Sequence, residues 1–575
     1  RSCFCAEFLE NFVEVKANKS LADRIIHASV IVGLAHICLK FAGLIQVKFA
    51  TQYLDSSLYE PIMVVAFTGV INSLFLIGEE VIGPSFLTIF MREKEEKNEQ
   101  AAWDYGNTVL TFQSLLLMFM VALVACFPDF FIHLFTKWDI QDNPERYKIL
   151  RLSLQVLAPC LFFLSLGSTT YMLLNGYKKF FLAAFGDAST KICVVLGLVA
   201  GMGWFGWDFR ALFAGLLAGS AAKLATHVLG LWKKRSLFRP SLNWRNPAFQ
   251  SMLLIMLPLL AGIIFAKVRD NFNNIYVLTH LKEDGVLMAN DLGRRLYSSI
   301  QWLVPYALQI ALFPFLCELA SRKDKEKLGE VLGSSCRLLL SVFVPGALCL
   351  SLLAMPISIL IFLGGKTGIE LASWAGISTA CYTLVLPAAA VECVLMQGYF
   401  AEQKTVAVTV IGLIASIVSV AFSYVAIVHF QVGAVASLVV VATGFVLCRY
   451  LKSIILSIYL QKSTPMFHRK TLSLFFGKLL LLSLFTAAVT WGASELMNHL
   501  LPDGISSALA AIRCGDTFIP EVSRFKILCR LAVALSAGGI AFLGGALLLH
   551  LAEAKQMLDW AWDKVQSKIA AKKMP

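Results

Sequence analysis

The chain has 575 residues, 58% hydrophobic and only 15% charged, a balance that excludes an ordinary water-soluble globular protein of this length. A formal net charge of +13 would suit a nucleic-acid binder, but the Lys and Arg residues fall in short breaks between apolar runs rather than in one patch. Those runs are long enough to cross a hydrocarbon core of about 30 Å as helices, and too continuous for the alternating strands of a membrane barrel.

In chain order, residues 1–26 form a polar, cytoplasmic N-terminal segment without the apolar run of a cleavable signal. The numbering opens on Arg1 rather than Met, so a few initial residues are expected to precede it. Cys3 and Cys5 stand close together, yet no second pair or His cluster accompanies them at ligand spacing, so no metal and no cofactor is expected. The remaining cysteines, such as Cys126, Cys160, Cys193 and Cys381, sit inside apolar stretches as small hydrophobes, and no disulfide framework is read.

Apolar runs predict spans 1 to 6 at 27–49, 61–90, 106–132, 149–175, 180–202 and 210–232. Spans 7 to 12 follow at 249–280, 285–319, 333–363, 371–400, 404–430 and 433–460, and two more at 471–498 and 526–552. The fold class is therefore an all-α membrane protein of about 14 transmembrane helices. It divides into an N-lobe (27–232), a C-lobe (249–460), a C-terminal helix pair (471–552) and a basic amphipathic tail (553–575).

Loop charge sets the orientation, because cytoplasmic loops collect Lys and Arg. Loops after even-numbered spans hold Arg92, Lys94 and Lys97, then Lys178 and Lys179, then Lys233 to Arg245, then Arg322 to Lys327, which puts both termini in the cytoplasm. The tail carries Met557, Trp560, Trp562, Val565 and Ile569 among lysines, the pattern of a helix lying on the inner leaflet.

A repeat at a spacing of roughly 220 residues relates the two halves. Ala42-Gly43-Leu44-Ile45-Gln46-Val47-Lys48 answers to Ala261-Gly262-Ile263-Ile264-Phe265-Ala266-Lys267, and Leu174-Asn175-Gly176-Tyr177 answers to Met396-Gln397-Gly398-Tyr399. Two six-helix lobes of one orientation imply a cavity between them, an arrangement that alternating-access transporters need and channels seldom do.

Ionisable side chains inside spans are costly unless they face a cavity or a partner. They cluster in matching spans of the two halves: Lys40 and Lys48, Glu79 and Glu80, Lys267, Arg269 and Asp270, then Asp291, Arg294 and Arg295. Six are cationic and four anionic, so a shared cavity keeps positive charge after internal pairing and favours an anion. An Arg fork matches phosphate oxygens and Lys supplies a mobile point charge, so a pyrophosphate suits both. Asp187 and Lys191 are spaced for an internal i, i+4 ion pair. Glu392 reads as structural, with a coupling-ion role as its alternative. Pro258, Pro305, Pro314 and Pro387 mark places where helices can bend.

Several stretches carry a family resemblance. Gly293-Arg294-Arg295-Leu296-Tyr297, with Pro305 and Leu312-Phe313-Pro314, resembles the span-8 pattern of the MurJ/MviN lipid II flippases, members of the multidrug/oligosaccharidyl-lipid/polysaccharide exporter superfamily. Lys40 with Gly43 resembles the family's Arg-x-x-Gly, and Glu79 to Phe86 its span-2 stretch. The chain departs from the family at Leu74 and Phe75, where an Arg pair is usual, at Gln46, the place of a second span-1 Arg, and at Glu80, the place of a Gly.

The resemblance implies a V-shaped pair of lobes around a cationic cavity, a lipid-facing groove on the last two helices, and export of undecaprenyl-pyrophosphate-linked peptidoglycan precursor across the bacterial inner membrane. It places Arg295 as the cavity arginine. The expected substrate-binding set is Arg295, Arg294, Lys40, Lys48, Lys267 and Arg269, with Glu79, Glu80, Asp270, Asp291 and Glu392 in supporting or coupling roles. The expected partners are an anionic lipid-linked substrate and membrane lipids, with the chain as a monomer and no nucleic acid. The alternatives are a polysaccharide-unit flippase or a cation-coupled drug exporter of the same superfamily. A membrane glycosyltransferase or phosphatase would need clustered carboxylates or histidines on a surface loop, and none is found, so no enzyme is expected.

Overall fold

The computed structural model describes residues 38–301, 316, 319–320, 322–402, 404–467, 469–516 and 520–549. The N-terminal segment, the tail, Pro305 and Pro314 lie outside the described residues, as do Cys3 and Cys5. Among the described residues the regular structure is helical, apart from one isolated bridge between Gly364 and Thr367.

Each predicted run contains a helix. Span 1 is helical over 38–53. Spans 2 to 6 are Ser56–Glu96, Glu99–Cys126, Pro144–Gly176, Phe181–Trp204 and Arg210–Leu237. Span 7 is Pro247–Asn271, and the described part of span 8 is Val286–Gln301. Span 9 is Lys325–Phe362, span 11 Val408–His429, span 12 Ala434–Gln461, span 13 Leu472–Leu500 and span 14 Arg524–Leu548. Span 10 is the broken pair Ile369–Thr383 and Leu386–Ala401, bent by 42°. Pro387 stands in the first turn of its second piece, where its missing N–H costs nothing. Among the described residues, ten of these helices are long and apolar enough to cross a membrane, eleven with the bent pair counted as one span.

Local chemistry sets the ends. The Asp55 carboxylate accepts from Leu58 N at the start of span 2, and Asn98 accepts from Ala101 N at the start of span 3, each satisfying a first-turn donor. Span 2 runs beyond the predicted 61–90 because its last polar turn, outside the hydrocarbon, still favours helix and is braced by the Lys97–Glu93 ion pair at 2.8 Å. The outer surface is apolar: Phe119, Leu254, Ile540 and Leu548 are all exposed, which fits a lipid solvent.

Two packing features position the functional residues. Span 6 presents Gly215 and Gly219 to span 5 so closely that a Cβ on Gly219 would lie 2.7 Å from the Thr190 carbonyl, the small-residue contact that lets membrane helices approach. The second feature closes one end of the bundle. There the Arg146 guanidinium bridges Glu60 (3.4 Å) and Asp284 (2.6 Å), and Lys48 donates to the Leu363 carbonyl at 2.9 Å. Thr367 and Lys366 bond the backbone of Thr51 and Gln52, with Gly365 at φ +66° supplying the turn. These contacts join spans 1, 2 and 4 to the segments flanking spans 8 and 9.

Candidate functional site

A cavity of about 530 Å³ lies between spans 1, 2, 4, 5 and 6 on one side and span 8 on the other. Lys40, Thr68, Lys191 and Lys223 each stand about 12 or 13 residues from the same end of their spans, so they meet at one level, roughly 20 Å deep at 1.5 Å per residue.

Span 8 supplies the second half's contribution. Asp291 and Arg295, one helical turn apart, share a face. The Arg295 guanidinium donates from Nε to Asp291 Oδ2 at 2.7 Å and from Nη2 to Thr68 Oγ1 at 3.2 Å. Buried Tyr59 donates its hydroxyl to the same Asp291 oxygen at 2.8 Å, so the carboxylate that holds Arg295 is itself held across to span 2. Arg294 also borders the cavity, with Tyr297, Tyr382 and Asp270 as its electrostatic neighbours. The Tyr297 and Tyr382 rings stack at 5.1 Å behind it.

The opposite wall comes from spans 5 and 6. The sequence spacing predicts an Asp187–Lys191 pair, and the structure corrects it: Asp187 Oδ1 accepts from Lys223 Nζ at 2.7 Å. Lys191 Nζ instead donates to the Leu39 carbonyl of span 1 at 2.5 Å. The reason is the close glycine contact of spans 5 and 6, which brings the Lys223 ammonium to the Asp187 carboxylate. Glu79 lies on this wall with Lys223 and Asp187 as its charged neighbours.

The cavity wall therefore carries five cations (Lys40, Lys191, Lys223, Arg294, Arg295) against three carboxylates (Glu79, Asp187, Asp291). The formal surplus is two positive charges, which favours an anion. Lys223 was not among the sequence candidates, although the rule that singles out charges inside spans applies to it equally. Its ammonium lies 5.2 Å from the centroid of Phe75, one of the two positions where the family usually carries Arg. Leu74, the other, faces away and lines an apolar pocket of about 470 Å³. Lys223 thus brings a cation to the wall beside Phe75. Gln46 also lines the cavity.

Three of the predicted binding residues stand elsewhere. Lys48 caps the end of span 9 through the Leu363 carbonyl. Lys267 pairs with Glu80 at 2.6 Å, joining span 7 to span 2 beside the cavity. Arg269 binds Asp270 through Nε and Nη2 and Ser416 through Nη1, facing span 11. Glu392 is held between Arg449 and Lys452 of span 12. Among the described residues no group of three His, Cys, Asp or Glu could hold a metal ion.

The family model "Lipid II flippase MurJ" matches residues 50–509. Among curated relatives, the probable lipid II flippase MurJ of Buchnera aphidicola subsp. Acyrthosiphon pisum is 23% identical over 291 residues, 51% of this chain and 56% of the relative. Its counterpart in Bdellovibrio bacteriovorus is 24% identical over 352 residues, 60% of this chain and 66% of the relative. The matches thus span between about half and two thirds of these relatives' lengths. In fold, the chain is similar to a solved lipid II flippase MurJ in its inward closed conformation, with a TM-score of 0.66 at 18% identity, covering 91% of this chain and 99% of that one. It is also similar to an inward-facing multidrug resistance MATE family transporter of the MOP superfamily, with a TM-score of 0.55 at 13% identity, covering 75% and 98%. A multi-pass helical membrane fold matched by the family model from residue 50 to residue 509 establishes that the chain belongs to the lipid II flippase MurJ family.

Proposed function

We propose that this chain is a flippase that moves an undecaprenyl-pyrophosphate-linked peptidoglycan precursor, lipid II, from the inner to the outer leaflet of the bacterial cytoplasmic membrane. The single observation that carries the reading is the mid-membrane cavity with its surplus of two positive charges. A pyrophosphate diester carries two negative charges at neutral pH and matches that surplus. Arg295, pinned by Asp291 and Thr68, offers its remaining donors as a pre-oriented fork, while Arg294, Lys40, Lys191 and Lys223 complete the positive wall. No covalent step is required of the protein.

Transport proceeds by alternating access, the lobe at 27–232 rocking against the lobe at 249–460. With both termini cytoplasmic, the stitched end of the bundle is the outer one, so the Glu60–Arg146–Asp284 and Lys48–Leu363 contacts seal the outer gate in this conformation. The Lys267–Glu80 pair joins the halves beside the cavity and changes partners as they rock. The helix pair at 471–552 provides a groove for the lipid tail, and the chain works as a monomer. A cation-coupled drug exporter would want a cavity of the opposite sign. A polysaccharide-unit flippase shares the pyrophosphate, and substrate competition separates it.

The test is complementation of a flippase-depleted bacterium by Arg295→Gln. Loss of the charge-assisted donors, each worth roughly 1.5–3 kcal/mol, lowers flipping at least tenfold with unchanged protein abundance. Normal growth and normal lipid II flipping in vesicles would remove Arg295 from the site. Flipping of a lipid-linked oligosaccharide in preference to lipid II would select the polysaccharide reading.

A further inference from the structure

Outside the central cavity, a further group of charges sits in the second half. Arg269, Arg449 and Lys452 converge on a separate cavity of about 170 Å³ between spans 7, 11 and 12, with Ser416 and Phe445 completing the wall. Their carboxylate partners do not line it. Asp270 accepts from Arg269 Nε and Nη2 at 2.9 and 2.7 Å, and Glu392 accepts from Lys452 at 2.6 Å and from Arg449 Nη1. Three cations therefore meet two carboxylates, and the three cationic residues line the cavity while Asp270 and Glu392 do not.

Donor accounting points the same way. An Arg carries five N–H groups and a Lys three. Arg449 places one of them on Glu392 and packs its guanidinium against the Phe445 ring at 5.3 Å; Lys452 also places one on Glu392. The Ser416 hydroxyl accepts from Arg269 Nη1 at 2.8 Å, which aims that guanidinium along the wall. Net positive charge at membrane depth is costly unless an anion balances it. With a water occupying about 30 Å³ of liquid volume, the cavity has room for a hydrated halide or one phosphate group.

The sequence repeat relates the helices around this cavity to those of the first. A spacing of roughly 220 residues equates spans 1, 5 and 6 with spans 7, 11 and 12. Spans 5 and 11 end alike, on a wide turn in which Phe205 N bonds Ala200 O (2.9 Å) and Phe430 N bonds Val425 O (3.1 Å). The helices around the second cavity are thus the repeat-related counterparts of spans 1, 5 and 6, but its cations stand at other positions: Lys191 and Lys223 answer to Leu413 and Phe445.

We propose that the cavity between spans 7, 11 and 12 is a second anion-binding site that takes one small inorganic anion, chloride or phosphate. It is separate from the central cavity, and its occupancy does not depend on which substrate crosses there.

The test uses the full chain in nanodiscs of zwitterionic lipid in potassium gluconate, with chloride or inorganic phosphate titrated in and the unfolding midpoint followed. Arg295→Gln removes the central cavity's anchor, and in that background a saturable rise in midpoint is expected. Adding Lys452→Gln weakens the apparent affinity about tenfold, and adding Ser416→Ala about threefold. Ser416→Ala carries the test if Lys452→Gln does not fold. A second arm uses nanodiscs containing phosphatidylglycerol: a midpoint already raised there, lost with Lys452→Gln, identifies a lipid headgroup as the source of the same anionic group. No saturable shift with either anion and no effect of phosphatidylglycerol, or shifts unchanged by both substitutions, would overturn the site. Because binding is read apart from flipping, failure here leaves the flippase reading untouched, and failure of the flippase reading leaves this one.

Discussion

Breaking and then restoring the Asp187–Lys223 pair tests the charge balance of the central cavity. Lys223 is only 4% exposed, while Asp187 is 37% exposed. Removing one member of a fully buried pair costs about 3–5 kcal/mol; because Asp187 faces the cavity, we place the cost of Asp187→Asn at about 2–3 kcal/mol. The cavity's formal surplus of two then changes with each variant. Asp187→Asn raises it by one and Lys223→Met lowers it by one, whereas the double variant leaves it as in the wild type. Both single variants should lose thermal stability in detergent, and Lys223→Met should also flip lipid II more slowly, with a smaller surplus to hold a dianion. The double variant should recover most of the stability and most of the flipping. Thermal unfolding and a vesicle flipping assay on all four proteins form the cycle. Additive losses in the double variant would refute the pairing, and wild-type flipping by Lys223→Met would refute the role of the surplus.

Two further outcomes follow from single contacts. Reversing Lys267→Glu alone should slow flipping, and adding Glu80→Lys should restore it; with Glu80 46% exposed the pair is worth about 0.5–1 kcal/mol, or a two- to fivefold effect, and equal rates in both variants would argue against an inter-lobe contact. At the end of span 10, burial would raise the Glu402 carboxyl, but hydrogen bonds from Lys404 and from Thr464 Oγ1 (2.7 Å) outweigh it and hold the group below its ordinary value. A depressed carboxyl contributes stability above its unfolded pKa of about 4.3 and loses it as pH falls through the lower folded value. Glu402→Gln should therefore unfold more easily than wild type at pH 7, by about 0.5–1 kcal/mol, and the gap should narrow below about pH 4; a gap independent of pH would contradict this.

The sequence by itself determined the solvent and the architecture. Runs of apolar residues long enough for the hydrocarbon core leave helices as the only way to satisfy the backbone, so every predicted run contains a helix. Intramembrane charge likewise pointed to Arg294, Arg295, Lys40 and Glu79, since a charge inside a span needs a partner or a cavity whatever the fold. What it could not decide is which charges meet, because that depends on helix rotation and approach. Asp187 and Lys191 are neighbours on one helix, yet the Gly215–Gly219 contact delivers Lys223 to Asp187 and leaves Lys191 for span 1. Lys48, Lys267 and Arg269 carry the same charge as the cavity residues, but their spans turn them to a helix end, to Glu80 and to a second pocket. A residue's charge is written in its side chain; the group it answers to is fixed only when the helices pack.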